Sequence, residues 1–400
     1  MARGELLSGW SRRAGGGILL FILLLVCGLM NCGRRPVDKI PAVGLVLSIE
    51  CSEAALRAAL DSVAAIGGGT ITFECNGDTL DISDRIYFYG SKLVLDGGGS
   101  GLVVRYTGPD DCSQTEGQDH FIEIHGDSNV VRNFTLLRFP DGMHVQSGYD
   151  NLVENLRFPG VCEDAVTNNG RGYEAYRTVI RGCYFEDSED KAVMINNGGS
   201  VTVEDCEFVD CQQPVRAGGS SGYYVVRGCT FSGRSTGPRF SGGRDTMNVI
   251  FENNTIHDSE YGIRVYGEVQ AIIRNNVMRP GNYGIYAYEN ARVRLERNDI
   301  QNASSAGVLL KDHVQADLGG GSVSIDSNSQ ASLGLNILRG NQSKDLLNLT
   351  ADTVKAMNNV WDHATVAEVL AGDVSGPVEV EPLGTSGGPA GSAERNLNDR

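Results

Sequence analysis

The chain has 400 residues, 41% of them hydrophobic, enough for a continuous core in one long domain or repeat array. A net charge of −16 argues against non-specific binding to nucleic acid or an anionic membrane surface, because the field of the whole molecule repels polyanions. It leaves room for a local basic strip, and the 52 glycines point to many turns and short strands.

Residues 1–31 read as a signal peptide. Arg3, Arg12 and Arg13 precede the apolar run Ile18–Met30, which is short for a membrane span of about 20 residues and suits a signal core. Cys32 follows at once, and Leu29-Met30-Asn31-Cys32 loosely resembles a lipoprotein cleavage box, with Asn31 where a small residue is usual. The expected location is extracytoplasmic: secreted, or an outer-membrane lipoprotein anchored through Cys32, with an uncleaved anchor also open. Loss of residues 1–31 removes three Arg and one Glu and takes the net charge to −18.

A linker is expected over 32–50, then a β-helix domain over 51–371 and a disordered Gly/Ser/Pro-rich tail over 372–400. Ser52 is placed to cap an amphipathic helix reaching about Ala65, which would plug the first coil of a solenoid. Among the ten cysteines, Cys51 could pair with Cys75, and Cys112 with Cys162. Cys183, Cys206 and Cys229 differ, being 23 residues apart. That is a repeat signal, and it favours small buried hydrophobes over metal or redox chemistry.

The repeat runs through IRGCYFEDS (180–188), VEDCEFVDC (203–211), VRGCTFSGR (226–234), FENNTIHDS (251–259), IRNNVMRPG (273–281) and LERNDIQNA (295–303), with earlier copies at 131–139 and 153–161. Its central position reads Phe134, Leu156, Cys183, Cys206, Cys229, Asn254, Asn276, Asn298. A second short strand follows each copy with matching spacing, from GMHVQ (142–146) to GVLLK (307–311). Alternation with period two and a coil near 22 residues predict an all-β fold, a right-handed parallel β-helix with a short N-terminal capping helix. The cysteines and asparagines then form interior stacks. After residue 312 the repeat decays into a closing coil.

In-register coils lie about 4.8 Å apart. The third residue of each second strand should therefore form an outward row: His144, Thr167, Met194, Arg216, Arg239, Arg264, Tyr286, Leu309. Three stacked arginines repel one another unless an anion lies along them. Surface carboxylates could supply it, and so could an acidic polymer in a groove. Asp141, Glu163, Asp164 and Asp190 fall just before these strands in adjacent coils, beside Lys191. Converging carboxylates without His or Cys suit Ca²⁺, although acids before strands are also ordinary turn residues.

The segments Asp141-Gly-Met-His-Val, Val161-Cys-Glu-Asp-Ala-Val-Thr167 and Asp190-Lys191-Ala-Val-Met-Ile-Asn-Asn-Gly-Gly199, followed by Arg216, resemble the core of family-three pectate lyases, within the wider superfamily of pectin-lyase-like solenoids. The resemblance covers roughly residues 130–220. It implies Ca²⁺ on Asp141, Glu163, Asp164 and Asp190, with Lys191 and Arg216 carrying the chemistry. Against the pattern, four more coils follow Arg216, and Ala217-Gly218-Gly219 stand where paired cysteines often lie.

The function this implies is Ca-assisted β-elimination on an acidic (uronate) polysaccharide by a monomer. Lys191, with a depressed pKa, would remove the C5 proton and Arg216 would stabilise the enolate, though the two roles could be exchanged. His144, Arg239, Arg264 and Tyr286 would hold further uronate units. A glycoside hydrolase would need two carboxyls across the bond with one kept protonated, and the motifs of polygalacturonases are missing. The alternative is a non-catalytic β-helix that binds acidic glycans at the cell surface.

Overall fold

The computed structural model describes residues 44–385, except 76, 78, 100, 109–119, 170–174, 197–198, 220 and 326–329. The expected signal peptide, Cys32, Cys112 and the tail from 386 onward lie outside the described residues. No helix among those described is long and apolar enough to cross a membrane.

Short strands stack coil upon coil in three parallel columns. One column runs from Leu45–Ile49 through Gly69–Phe73 and Leu93–Asp96 to Arg292–Glu296 and Gln315–Gly319. A second runs from Leu80–Ile82 through Tyr184–Ser188 to Ile337–Arg339. The third holds the predicted second strands, from Ile86–Tyr89 through Met143–Tyr149 to Lys344–Asn348. Every pairing is parallel, as expected of a β-helix.

The nine-residue copies are not single strands. Each bends sharply between the first two columns at a residue with positive φ: Asn133, Asn155, Gly182, Asp205, Gly228, Asn253, Asn275, Arg297. Glycine tolerates this left-handed conformation, and Asn and Asp accept it more readily than other side chains, so period and bend are written by the same residues. The next residue in each copy points inward and builds the predicted ladder.

Within the ladder Asn254, Asn276 and Asn298 are each 1% exposed. Each amide donates to the following asparagine's Oδ1, in Asn336 for the last, at 2.9–3.1 Å. Each also donates to a strand carbonyl of the preceding coil, those of Val226, Phe251 and Ile273. Asn359 ends the series. Cys183, Cys206 and Cys229 occupy the same column as free, fully buried thiols. Beside them Phe158, Phe185, Phe208 and Phe231 stack with centroids 5.1, 4.8 and 4.8 Å apart.

The ends are closed. Helix α1 (Glu53–Ala65) buries Leu56, Ala59, Leu60 and Val63 on the first coil, and Ser52 Oγ accepts from Ala55 N at 3.2 Å. Cys51 and Cys75 form a disulfide. Cys162 is also disulfide-bonded. Two segments differ from the sequence reading. Leu45–Ile49, inside the expected linker, pairs with Gly69–Phe73 as the first strand. Val374–Ser375 and Val378–Glu379, inside the expected tail, pair with the last coil, where Val374 and Val380 are buried. Both segments carry alternating apolar residues that an open solenoid end would leave in water. Helix α2 (Val366–Gly372), capped by Thr365, lies between.

Candidate functional site

The outward row forms as its period predicts. Successive Cα partners are His144–Thr167, Thr167–Met194, Met194–Arg216, Arg216–Arg239, Arg239–Arg264, Arg264–Tyr286 and Tyr286–Leu309. It continues N-terminally through Glu123 and Tyr87. His144, Thr167 and Leu309 are buried, however, so the strip is half-sheltered and not an open outer face.

Arg216, Arg239 and Arg264, like Arg157, Arg294 and Arg339, depart from the habit of most of the molecule's cross-coil arginines. Arg105, Arg132, Arg177, Arg181, Arg227, Arg274 and Arg279 each meet a carboxylate. Among the described residues, none of the three row arginines has a carboxylate oxygen within 4.0 Å. Arg216 Nε and Arg264 Nε are buried without a hydrogen-bond partner. Burial, then the neighbouring Arg239, lowers the pKa of Arg264 from its ordinary value. The neutralising surface carboxylates entertained from sequence are therefore not there.

Tyrosines surround these cations. Arg264 lies 4.6 Å over the Tyr261 ring, and Arg239 donates through Nε to Tyr266 Oη at 2.7 Å. Tyr266 stacks on Tyr288 at 4.5 Å, and Tyr261 on Tyr283 at 5.7 Å. Tyr286 touches Tyr288 at 4.7 Å. Only Tyr286 was singled out from sequence. The repeated Tyr-Gly-Ile at 261 and 283 was the available signal for the platform.

At the other end of the strip Lys191 brings Asp164 and Asp190 together. Asp164 pairs in register with Lys191, and Lys191 with Gln213. Lys191 Nζ lies 3.0 Å from Asp164 Oδ1 and also binds Asp190. Burial pushes the Asp164 carboxyl up to about 6, against the pull of Lys191 and with a push from Asp141 and Asp190. For Lys191, burial favours the neutral amine, but Asp190 and Asp164 outweigh it and raise its pKa. The depressed pKa expected of a base is thus absent while those two contacts last.

Asp141 turns toward His144, with Oδ2 to Nε2 at 2.8 Å, and its Oδ1 is buried without a partner. For His144, burial opposes protonation, and Asp141 overcomes it to raise the pKa. His120, which sequence reading missed, stacks on His144 at 4.2 Å, and burial holds its pKa down. It precedes the strand Ile122–His125 after a long break in the repeat, so the period did not reach it. The carboxylates suit a hard cation in donor chemistry. Asp141 Oδ1 is a buried oxygen without a partner, whereas Asp164 and Asp190 already have Lys191 as their counter-ion.

The family model described as right handed beta helix region matches residues 120–243 and 215–359. Probable pectate lyase E of Aspergillus flavus is 31% identical over 121 residues, 29% of this chain and 44% of that protein, and its Aspergillus oryzae counterpart gives the same values. The match thus spans less than half the length of these curated relatives. Two solved structures are similar to this chain at low identity. The catalytic domain of an α-1,3-glucanase in complex with nigerose has 13% identity and TM-score 0.43, covering 85% of this chain and 68% of that one. Endo-xylogalacturonan hydrolase from Aspergillus tubingensis has 14% identity and TM-score 0.41, covering 74% and 96%.

Proposed function

The chain belongs to the right-handed β-helix family, and from that premise we propose that it acts on an acidic polysaccharide laid along the Arg216–Arg239–Arg264 strip, cleaving it by β-elimination. One observation carries this reading: among the described residues, three guanidiniums stacked in register have no carboxylate within 4.0 Å, and two of them hold a buried Nε without a partner. Coils about 4.8 Å apart present those charges at a spacing near that of sugar units. The stacked tyrosines offer apolar ring faces to pyranose rings while their hydroxyls stay polar.

Asp141, Glu163, Asp164 and Asp190 would hold Ca²⁺. Bound there, it would neutralise Asp164 and Asp190 and polarise the uronate carboxylate. Lys191, released from those two carboxylates, would keep only the burial that favours its neutral amine, and could then accept the C5 proton. Arg216 would stabilise charge developing on the carboxylate. The C4–O bond breaks as the C4–C5 double bond forms, and the leaving oxygen takes up a proton. Secretion, with or without a lipid on Cys32, and a monomeric state belong to the same proposal.

The test is ultraviolet absorbance of the C4–C5 unsaturated product from polygalacturonate with Ca²⁺, across a small panel of uronate polymers. Activity should fall at least about 10²-fold in Lys191→Ala. New reducing ends without that absorbance would replace the lyase with a hydrolase. A binder without chemistry is favoured by the ion pairs that hold Lys191, and polymer retention with no product would identify it.

A further inference from the structure

At the N-terminal end of the strip His120, Asp141 and His144 each offer one ligand atom, all within 4.8 Å of one another. All three residues are buried: His120 is 1% exposed, Asp141 3% and His144 8%. Neither ring nitrogen of His120 makes a hydrogen bond. Its Nε2 lies 3.4 Å from Glu123 Oε2, within ion-pair range. Asp141 Oδ1 is likewise without a partner.

Leaving such groups buried and unsatisfied is costly. The stacking of the two imidazoles, with centroids 4.2 Å apart, recovers only part of that. Tyr87 meets His120 edge-on, with centroids 6.4 Å apart. Glu123 meets His125 Nε2 at 2.6 Å and supplies a second carboxylate beside the pair.

We propose that His120, His144 and Asp141 form a structural site for a borderline divalent cation of the zinc type, tying together the coils that carry them. Two imidazole nitrogens and one carboxylate suit zinc and its transition-metal neighbours, whereas Ca²⁺ takes six to eight oxygens. Burial of all three donors marks a closed site. From His144 the row passes Thr167 and Met194 before Arg216, three coil spacings or about 15 Å, so this ion lies away from Arg216, while Lys191 is nearer, two coils on. The inference goes beyond the polysaccharide reading and does not depend on it, although Asp141 is common to both donor sets.

The experiment is a titration of the chelator-stripped full chain with Co²⁺ as a spectroscopic probe, with thermal denaturation in parallel. One Co²⁺ per chain should bind with visible absorption, be displaced by Zn²⁺ and not by Ca²⁺, and raise Tm. His120→Phe keeps the ring volume but removes the ligand; it should lose the absorption and the Tm shift with an unchanged circular dichroism spectrum. Lys191→Ala should bind Co²⁺ as the native chain does, whatever the polymer assay gives. No saturable binding, binding retained in His120→Phe, displacement by Ca²⁺, or a thiolate charge-transfer band from the interior cysteines would each overturn the proposal.

Discussion

Replacing Asn276 with Ala removes the middle rung of the asparagine ladder. Its Oδ1 accepts from Asn254 N at 2.9 Å and from Asn254 Nδ2 at 3.1 Å. Its Nδ2 donates to Phe251 O and to Asn298 Oδ1, both at 2.9 Å. Asn254 Nδ2 retains Val226 O, and Asn298 Oδ1 retains Asn276 N, so those two groups are only weakened. The Asn254 amide N–H loses its acceptor in a fully buried place. One orphaned donor at about 1–3 kcal/mol, plus lost hydrogen bonds at about 0.5–1.5 kcal/mol each, gives about 3–5 kcal/mol.

Because a solenoid couples mainly neighbouring coils, the loss should be local. Native-state hydrogen exchange at Asn254 should accelerate by roughly 10²–10³-fold, with little change in the terminal coils. Cys206→Ala in the same column is the comparison, since its thiol makes only weak contacts to Ile180 O and Glu204 O at 3.7 and 3.3 Å. If Asn276→Ala costs no more than Cys206→Ala in a denaturant titration and the Asn254 amide stays protected, the ladder does not hold these coils together.

Asp345 is 1% exposed, and burial, reinforced by Asp362 and Asp373, pushes its carboxyl up to about 7. A folded pKa above the unfolded value of about 4 means its contribution is fully present below pH 4 and is lost as pH rises through 7. Asp345→Asn should therefore flatten the fall of Tm between pH 4 and 8 and gain about 2–4 kcal/mol at pH 8; an unchanged pH profile would remove the carboxyl from the account. Phe208→Ala opens the aromatic stack between Phe185 and Phe231 and should cost about 3–5 kcal/mol by chemical denaturation, with less than 1 kcal/mol refuting a packed stack. Arg264→Gln should weaken retention on polygalacturonate roughly ten-fold at low salt, from ~1.5 kcal/mol for a charge-assisted hydrogen bond. Equal affinity and an equal salt dependence would take the arginine row out of binding.

Much of this molecule is one-dimensional, which is why its sequence reads so directly. A residue's neighbours above and below are the residues one coil away, so a spacing near 22 assigns Arg216 to Arg239 and Arg264 to Tyr286 without any knowledge of distant contacts. The bends are local too, set in all but one copy by Asn, Asp or Gly at a positive φ, and by Arg297 in the last. The same logic stops where the repeat stops. His120 follows a break in the period, and the closing strands near Val374 and Val378 have no copy to align with.

Sequence alone thus determined the coil, its register, the capping helix and the order of side chains along the strip, because each depends on periodicity and local conformation. Only the tertiary structure decided which charges meet. It left Arg216, Arg239 and Arg264 without carboxylates, gave Lys191 to Asp164 and Asp190, and turned Asp141 toward the histidines. Those outcomes depend on side-chain directions across neighbouring coils and on burial. Both vary over a few ångströms, a scale to which a repeat of 22 residues is blind.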